Sequence, residues 1–177
     1  YEIRPRDWSS DVCSSDLPVD NGSVEGRIDD QQGRFNVNNL LIGGRLNPQQ
    51  LQRLRRLFAL LSVPTGLADS LADWIDTDET PMSLQGAEDA YYLALQPPYR
   101  TANRPMVDLA ELALVRGFDA GVRERLRPYL TALPGITPLN VNTASPEVLS
   151  ACVDGLGIDE ARTLVDRKST RLNSSHV

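Results

Sequence analysis

Apolar residues recur at helical spacing over most of the chain and at strand spacing near its start. Leu51, Leu54, Phe58 and Leu61 form one stripe. It lies behind Asn47, which can cap, and Pro48, which suits a first helical position. Pro64 ends that helix. Thr65 can cap a second, whose Leu67, Leu71, Trp74 and Ile75 share a face. A short helix is expected over 87–95, stopped by Pro97 and Pro98. Asp108 can cap a helix with Leu109, Leu112 and Val115, ended by Gly117. Asp119 can cap another with Val122, Leu126 and Leu130. Ser145 and Pro146 open a helix through Cys152, the glycines of Gly155-Leu156-Gly157 turn the chain, and Asp159 caps a last helix. Ahead of all these, Val24 and Ile28 alternate in SVEGRI, DDQQG has turn chemistry, and Phe35 and Val37 alternate with asparagines in RFNVNNL. That pattern predicts a strand pair, which is marginal unless it packs on something. The fold class expected is α+β, mainly α, with a small sheet followed by about seven short helices.

The two flanks read differently. DWSSDVCSSDL (7–17) and DRKSTRLNSSH (166–176) can be encoded on opposite strands of one DNA string. That string resembles a short-read sequencing adapter. Residues 1–17 and 166–177 are therefore expected to be adapter-derived and non-native, and are excluded from fold reasoning. What remains, 18–165, is expected to be an internal fragment. It divides into a strand segment (18–44), a helical region with an acidic loop (45–133) and a final helical pair (134–165). The excluded flanks carry equal numbers of acidic and basic residues, so the net charge stays at −6. They also remove Cys13, Trp8 and His176, leaving no histidine and the single cysteine Cys152.

These losses narrow the chemistry. An acidic chain disfavours nucleic acid and anionic membranes. One cysteine forms no internal disulfide, and its apolar neighbours Val148 and Leu149 suggest a buried hydrophobe. No apolar run reaches the roughly 20 residues of a spanning helix.

The feature that asks for an explanation is the stretch 73–92. It holds Asp73, Asp76, Asp78, Glu79, Glu88 and Asp89 with no intervening Lys, Arg or His. Several of these carboxylates follow a helix C-terminus, which already carries partial negative charge. They need a cation or plentiful water. Calcium takes 6–8 oxygens. Asp76 and Asp78 can point inward, a reversal through Pro81 and Gly86 would return Glu88 and Asp89, and carbonyls between Thr80 and Leu84 could complete the shell. Zinc is disfavoured without His or paired Cys, and magnesium prefers fewer protein ligands. The loop is not an EF-hand: counting from Asp76, Pro81 stands sixth and Ala87 twelfth. A solvated acidic loop, with Glu88 and Asp89 favouring a helix start, remains the alternative.

Four blocks, in order, carry a resemblance: GRIDDQQGRFNVNNL, ADWIDTDETPMSLQGAEDAYY, PPYRTANRPMVDLAEL and LPGITPLNVNTASPEVL. Together they resemble the type II secretion minor pseudopilins of the K class. The resemblance implies a pilin-like sheet with a helical domain inserted into it, and an N-terminal inner-membrane anchor that this fragment lacks. It implies a non-enzymatic subunit at the tip of a periplasmic pseudopilus, bound to minor pseudopilins of the I and J classes and possibly to secretion substrates. It also implies calcium. The ligands carried over by position are Asp76, Asp78, Glu88 and Asp89, with Asp73, Glu79 and Asn103 as weaker candidates.

Two other function classes compete. LNVNTASPEVLSACVDGLGIDEARTLV resembles a helix-hairpin-helix, whose hairpin amides meet phosphate in DNA binders. Here Asp154, Asp159 and Glu160 surround the hairpin and Arg162 is the only nearby cation, so a structural hairpin is expected. A carboxylate-paired hydrolase would need a substrate groove, and the sequence offers no catalytic His, GxSxG or P-loop. Trp74, Tyr91 and Tyr92 are expected to pack beneath the acidic loop. Tyr99 and Arg100 could meet a partner, but a core-edge Tyr99 and an Arg100 paired with an acidic neighbour fit better.

Overall fold

The computed structural model describes residues 15–19, 22–26 and 29–173, with side chains over 29–167. The architecture is mainly helical. Strand β1 (Ser15–Val19) pairs antiparallel with β2 (Gly22–Gly26). The expected hairpin between SVEGRI and RFNVNNL is therefore corrected. Gly22–Gly26 is spent on β1, DDQQG tightens into a 3-10 turn at Gln31–Gly33, and RFNVNNL gives only β3 (Phe35–Asn36) before a 3-10 turn at Val37–Leu40. The cause is the capping chemistry of aspartate and asparagine. Asp30 and Asn36 each cap the following turn by accepting a backbone N–H two residues on, an arrangement that competes with strand pairing. Ile28 lies outside the described residues.

Two-residue strands β4 (Leu41–Ile42) and β5 (Arg45–Leu46) form a tight hairpin through Gly43 and Gly44, both at positive φ. Helix α1 (Pro48–Leu60) follows, capped by Asn47 as expected. Its buried stripe is Leu51, Leu54, Leu57 and Phe58. Helix α2 (Leu67–Ile75) starts at Gly66 with no side-chain cap, so Thr65 does not serve as one. After the acidic loop, the helix expected over 87–95 shrinks to α3 (Asp89–Tyr92). The next segment is 3-10 rather than α, Leu109–Leu114, closed by a capping box between Asp108 and Glu111. Helix α4 (Ala120–Leu126) is capped by Asp119 and ends before Leu130, which lies in β6 (Leu130–Thr131). Helix α5 (Pro146–Cys152) is capped by Ser145. Helix α6 (Ile158–Asn173) begins one residue ahead of Asp159, which sits in its first turn.

Strand β6 pairs parallel with β3, Phe35 opposite Leu130. Asn36 and Asn38 fasten that closure. Asn36 Nδ2 donates to Gly135 O (3.0 Å) and Thr137 Oγ1 (2.9 Å), and Asn38 Nδ2 to Met106 O (2.8 Å) and Leu133 O (2.9 Å). Contacts thus cross both sequence boundaries, near 44 and near 133. One continuous core runs from Phe35, Val37 and Leu40 through α1 and α2 to Leu126, Val148 and Ala161. Ser15–Leu17 and 166–173, read from sequence as non-native, lie within β1 and α6.

Candidate metal centre

Helix α2 builds the site with one polar edge. Asp69, Asp73 and Asp76 recur every three or four residues, so their side chains share a face. Asp69 Oδ1 accepts from Arg55 Nη2 (2.7 Å), fixing α2 to α1, while its Oδ2 accepts from Ser83 Oγ (2.7 Å). Ser70 Oγ donates to Gln85 O (2.6 Å). Asp73 accepts the Met82 N–H (3.2 Å). From the opposite side Arg116 donates to Gly86 O (2.9 Å) and lies 4.7 Å over the Tyr91 ring. The loop is therefore strapped to α2 along its length. Gly86 permits this contact: a Cβ there would stand 2.1 Å from Asp73 Oδ2.

The strapped loop returns Glu88 beside the end of α2. Asp76, Asp78 and Glu88 each offer a carboxylate oxygen, and these lie within 4.8 Å of one another. Asp76 and Glu88 are buried, and Asp78 is exposed at the mouth. Asp76 Oδ1, both Glu88 carboxylate oxygens and Asn103 Oδ1 are buried and accept no hydrogen bond among the described residues. Asn103 itself is held at φ 45°, its N–H donating to Trp74 O (3.1 Å) just before the end of α2. Burial pushes Glu88 up to about 8, aided by Asp73, Asp76, Asp78 and Asp89. Burial pushes Asp76 to about 6, aided by Asp78 and Asp73, and Asp73 also to about 6, against the hydrogen bonds from Met82 and Ala87. Buried carboxylates without donors are costly as anions. A hard cation would satisfy them with the oxygen-only set present here.

The four expected ligands separate. Asp76, Asp78 and Glu88 come together. Asp89 turns away, accepting from the Thr101 N–H (3.0 Å), from Thr101 Oγ1 (2.9 Å) and from Arg100. Those hydrogen bonds and the neighbouring guanidinium hold its carboxyl below its usual value. Glu79 is exposed, and Asp73 is spent on the loop backbone. Of the expected carbonyls, Ser83 O is taken by the Gly86 N–H and Leu84 O faces Arg116. The straps from Asp69, Ser70 and Arg116 went unnoticed in the sequence, although the 69–73–76 spacing on a helix was available to reveal the first.

The aromatic expectation holds for Trp74 and Tyr92, which are buried, and not for Tyr91, which is exposed under Arg116. Trp74 and Tyr92 stack edge-on at 5.2 Å beneath the loop, with Tyr99 at 5.3 Å from Tyr92. Tyr92 Oη accepts the Arg116 N–H (3.1 Å), and Tyr99 Oη donates to Leu114 O (2.9 Å). Arg100 pairs with Asp89. At the α5–α6 turn, the Gly157 N–H already donates to Glu160 (3.2 Å), and Asp154 is gripped by Arg56 (2.6 Å). Carboxylates thus stand where a phosphate would have to approach.

Comparison with known proteins places this geometry. The family described as type II secretion system (T2SS), protein K matches residues 33–135 and again 139–173. The type II secretion system protein K of Pseudomonas aeruginosa is 43% identical over 153 residues, covering 84% of this chain and 45% of the relative. That of Aeromonas hydrophila is 39% identical over 167 residues, covering 84% and 50%. The chain therefore spans about half the length of these curated relatives. Among solved structures, the GspK-GspI-GspJ complex from the type 2 secretion system of enterotoxigenic Escherichia coli matches with a TM-score of 0.69 at 29% identity, over 90% of this chain and 66% of the other. On these matches, spread over most of its length, the chain belongs to the type II secretion system protein K family.

Proposed function

We propose that this chain is the helical part of a non-enzymatic minor pseudopilin at the tip of a type II secretion pseudopilus. It assembles there with I- and J-class minor pseudopilins, and calcium bound at the acidic loop stiffens it. The observation that carries the assembly reading is the structural match to the K protein crystallised with GspI and GspJ. No helix among the described residues is long and apolar enough to cross a membrane. The family match supports a place in the cell envelope, and the reading puts this helical part on the periplasmic side.

The calcium reading rests on the three converging carboxylates and on the buried oxygens that accept nothing among the described residues. Asp76, Asp78 and Glu88 supply charge, and Asn103 Oδ1 supplies a neutral fourth oxygen. Backbone carbonyls and water complete the shell. The ion would tie the end of α2 to the start of α3, holding the helical domain in one shape under load. Mixing the chain with purified I- and J-class minor pseudopilins tests the assembly. Co-elution as one complex on size exclusion is expected; separate elution of the chain, with I and J still paired, would contradict it.

A further inference from the structure

A cavity of about 370 Å³ opens between the 34–39 turn, α1 and the 136–139 segment, away from the acidic loop. Arg34 and Arg53 line it with Phe35, Leu139, Ile136 and Gln50, and no carboxylate does. In a chain of net charge −6, that pairing of two cations without an acid is unusual. Arg53 is mostly buried, its side chain 22% exposed. Its nearest carboxylate among the described residues, Asp154 at 4.0 Å, is already held by Arg56 at 2.6 Å. Arg53 Nε is buried and donates to nothing, and the Arg34 guanidinium has no ion pair among the described residues. A largely desolvated guanidinium whose one ion pair is long and shared with a second arginine is costly. The apolar wall asks for more than a bare anion. Ile136 is 64% exposed at the rim and Phe35 is buried at the floor. The rim is also fixed in place: Asn39 Nδ2 donates to Thr137 O (2.8 Å), and the Thr137 N–H returns to Asn39 Oδ1 (2.9 Å). Gln50 offers an amide with no partner among the described residues, suited to a peptide group.

We propose that this cavity binds a segment of a partner protein that presents a carboxylate beside an apolar side chain. The guanidiniums take the carboxylate as forked donors, Phe35, Ile136 and Leu139 cover the side chain, and Gln50 meets the backbone. The carboxylate is that of an acidic side chain within the segment, with Gln50 beside the guanidiniums left to meet the flanking backbone. The proposal is independent of the cation site. Titration calorimetry of the full chain tests it with three probes: acetyl-Ala-Ala-Leu with a free carboxylate, acetyl-Ala-Glu-Leu-amide, and acetyl-Ala-Ala-Leu-amide as control. The Glu peptide is expected to bind with a Kd of about a millimolar or below and more tightly than the free-carboxylate peptide, and the control is not expected to bind. Arg53→Gln and Arg34→Gln should each weaken binding about tenfold. Arg34 is not fully buried, so its variant keeps the test open if the Arg53 variant melts early. Absence of binding by the Glu peptide, or tighter binding of the free-carboxylate peptide, would overturn the proposal. So would equal binding of the control, parent-like affinity in both variants, or full displacement by equimolar inorganic phosphate.

Discussion

Glu88 and Asp76 are buried, yet three of their four carboxylate oxygens accept no hydrogen bond among the described residues. Such groups stay ionised only beside positive charge. Their titration follows. In the ion-free protein Asp73 and Asp76 are raised from 3.8 to about 6, and Glu88 from 4.5 to about 8. Raised values mean that the folded chain holds its protons more tightly than the unfolded one. This contribution to stability is complete below the unfolded values and is lost as pH climbs toward 8. Denaturation in chelator should therefore show stability falling from pH 4 to pH 8. Calcium competes with those protons, so its binding should tighten with pH over the same window and restore stability at pH 8. A chelated protein more stable at pH 8 than at pH 5 would contradict the assignment. At Gly86 the argument is steric. Gly86→Ala drives a methyl into Asp73 and should cost about 1–3 kcal/mol by denaturant melting.

At the scale of elements, α2 does two jobs with two faces. Leu67, Leu71 and Ile75 bury against the core, while Asp69, Ser70 and Asp73 hold the loop. Asp69→Ala removes a partner of Arg55 and of Ser83 together. It should lower stability by about 1–3 kcal/mol, since Arg55 is partly solvated and recovers some hydration. Much of this level was legible in the sequence. The caps at Asn47, Asp119 and Ser145 and the apolar stripes of α1 and α2 follow from local chemistry. What failed depended on distant partners or on competing local bonds. The FNVNNL segment alternates like a strand, yet its asparagines bind turns and the 133–137 segment instead. That Asp76, Asp78 and Glu88 come together was legible because the reversal at Gly86 was readable. Asp89 was misplaced because Thr101 and Arg100 return to it only in the folded chain.

Across the whole molecule, closure depends on contacts far apart in sequence. Asn38 binds Met106 through both ends of its amide and also Leu133, joining the start of the domain to its middle and end. Asn38→Ala leaves buried backbone groups unmet and should cost about 1–3 kcal/mol whether or not calcium is present. The proposed cation site would act differently, making the shape of the domain conditional on an ion. The most direct test is thermal melting of the chain with calcium and with chelator, beside Asp76→Asn and Glu88→Gln. With calcium about a hundredfold above its Kd, the melting temperature should rise by about 5–10 °C. Both substitutions should abolish that rise and leave cooperative melting in chelator. Identical melting of the parent chain in the two buffers would contradict the account.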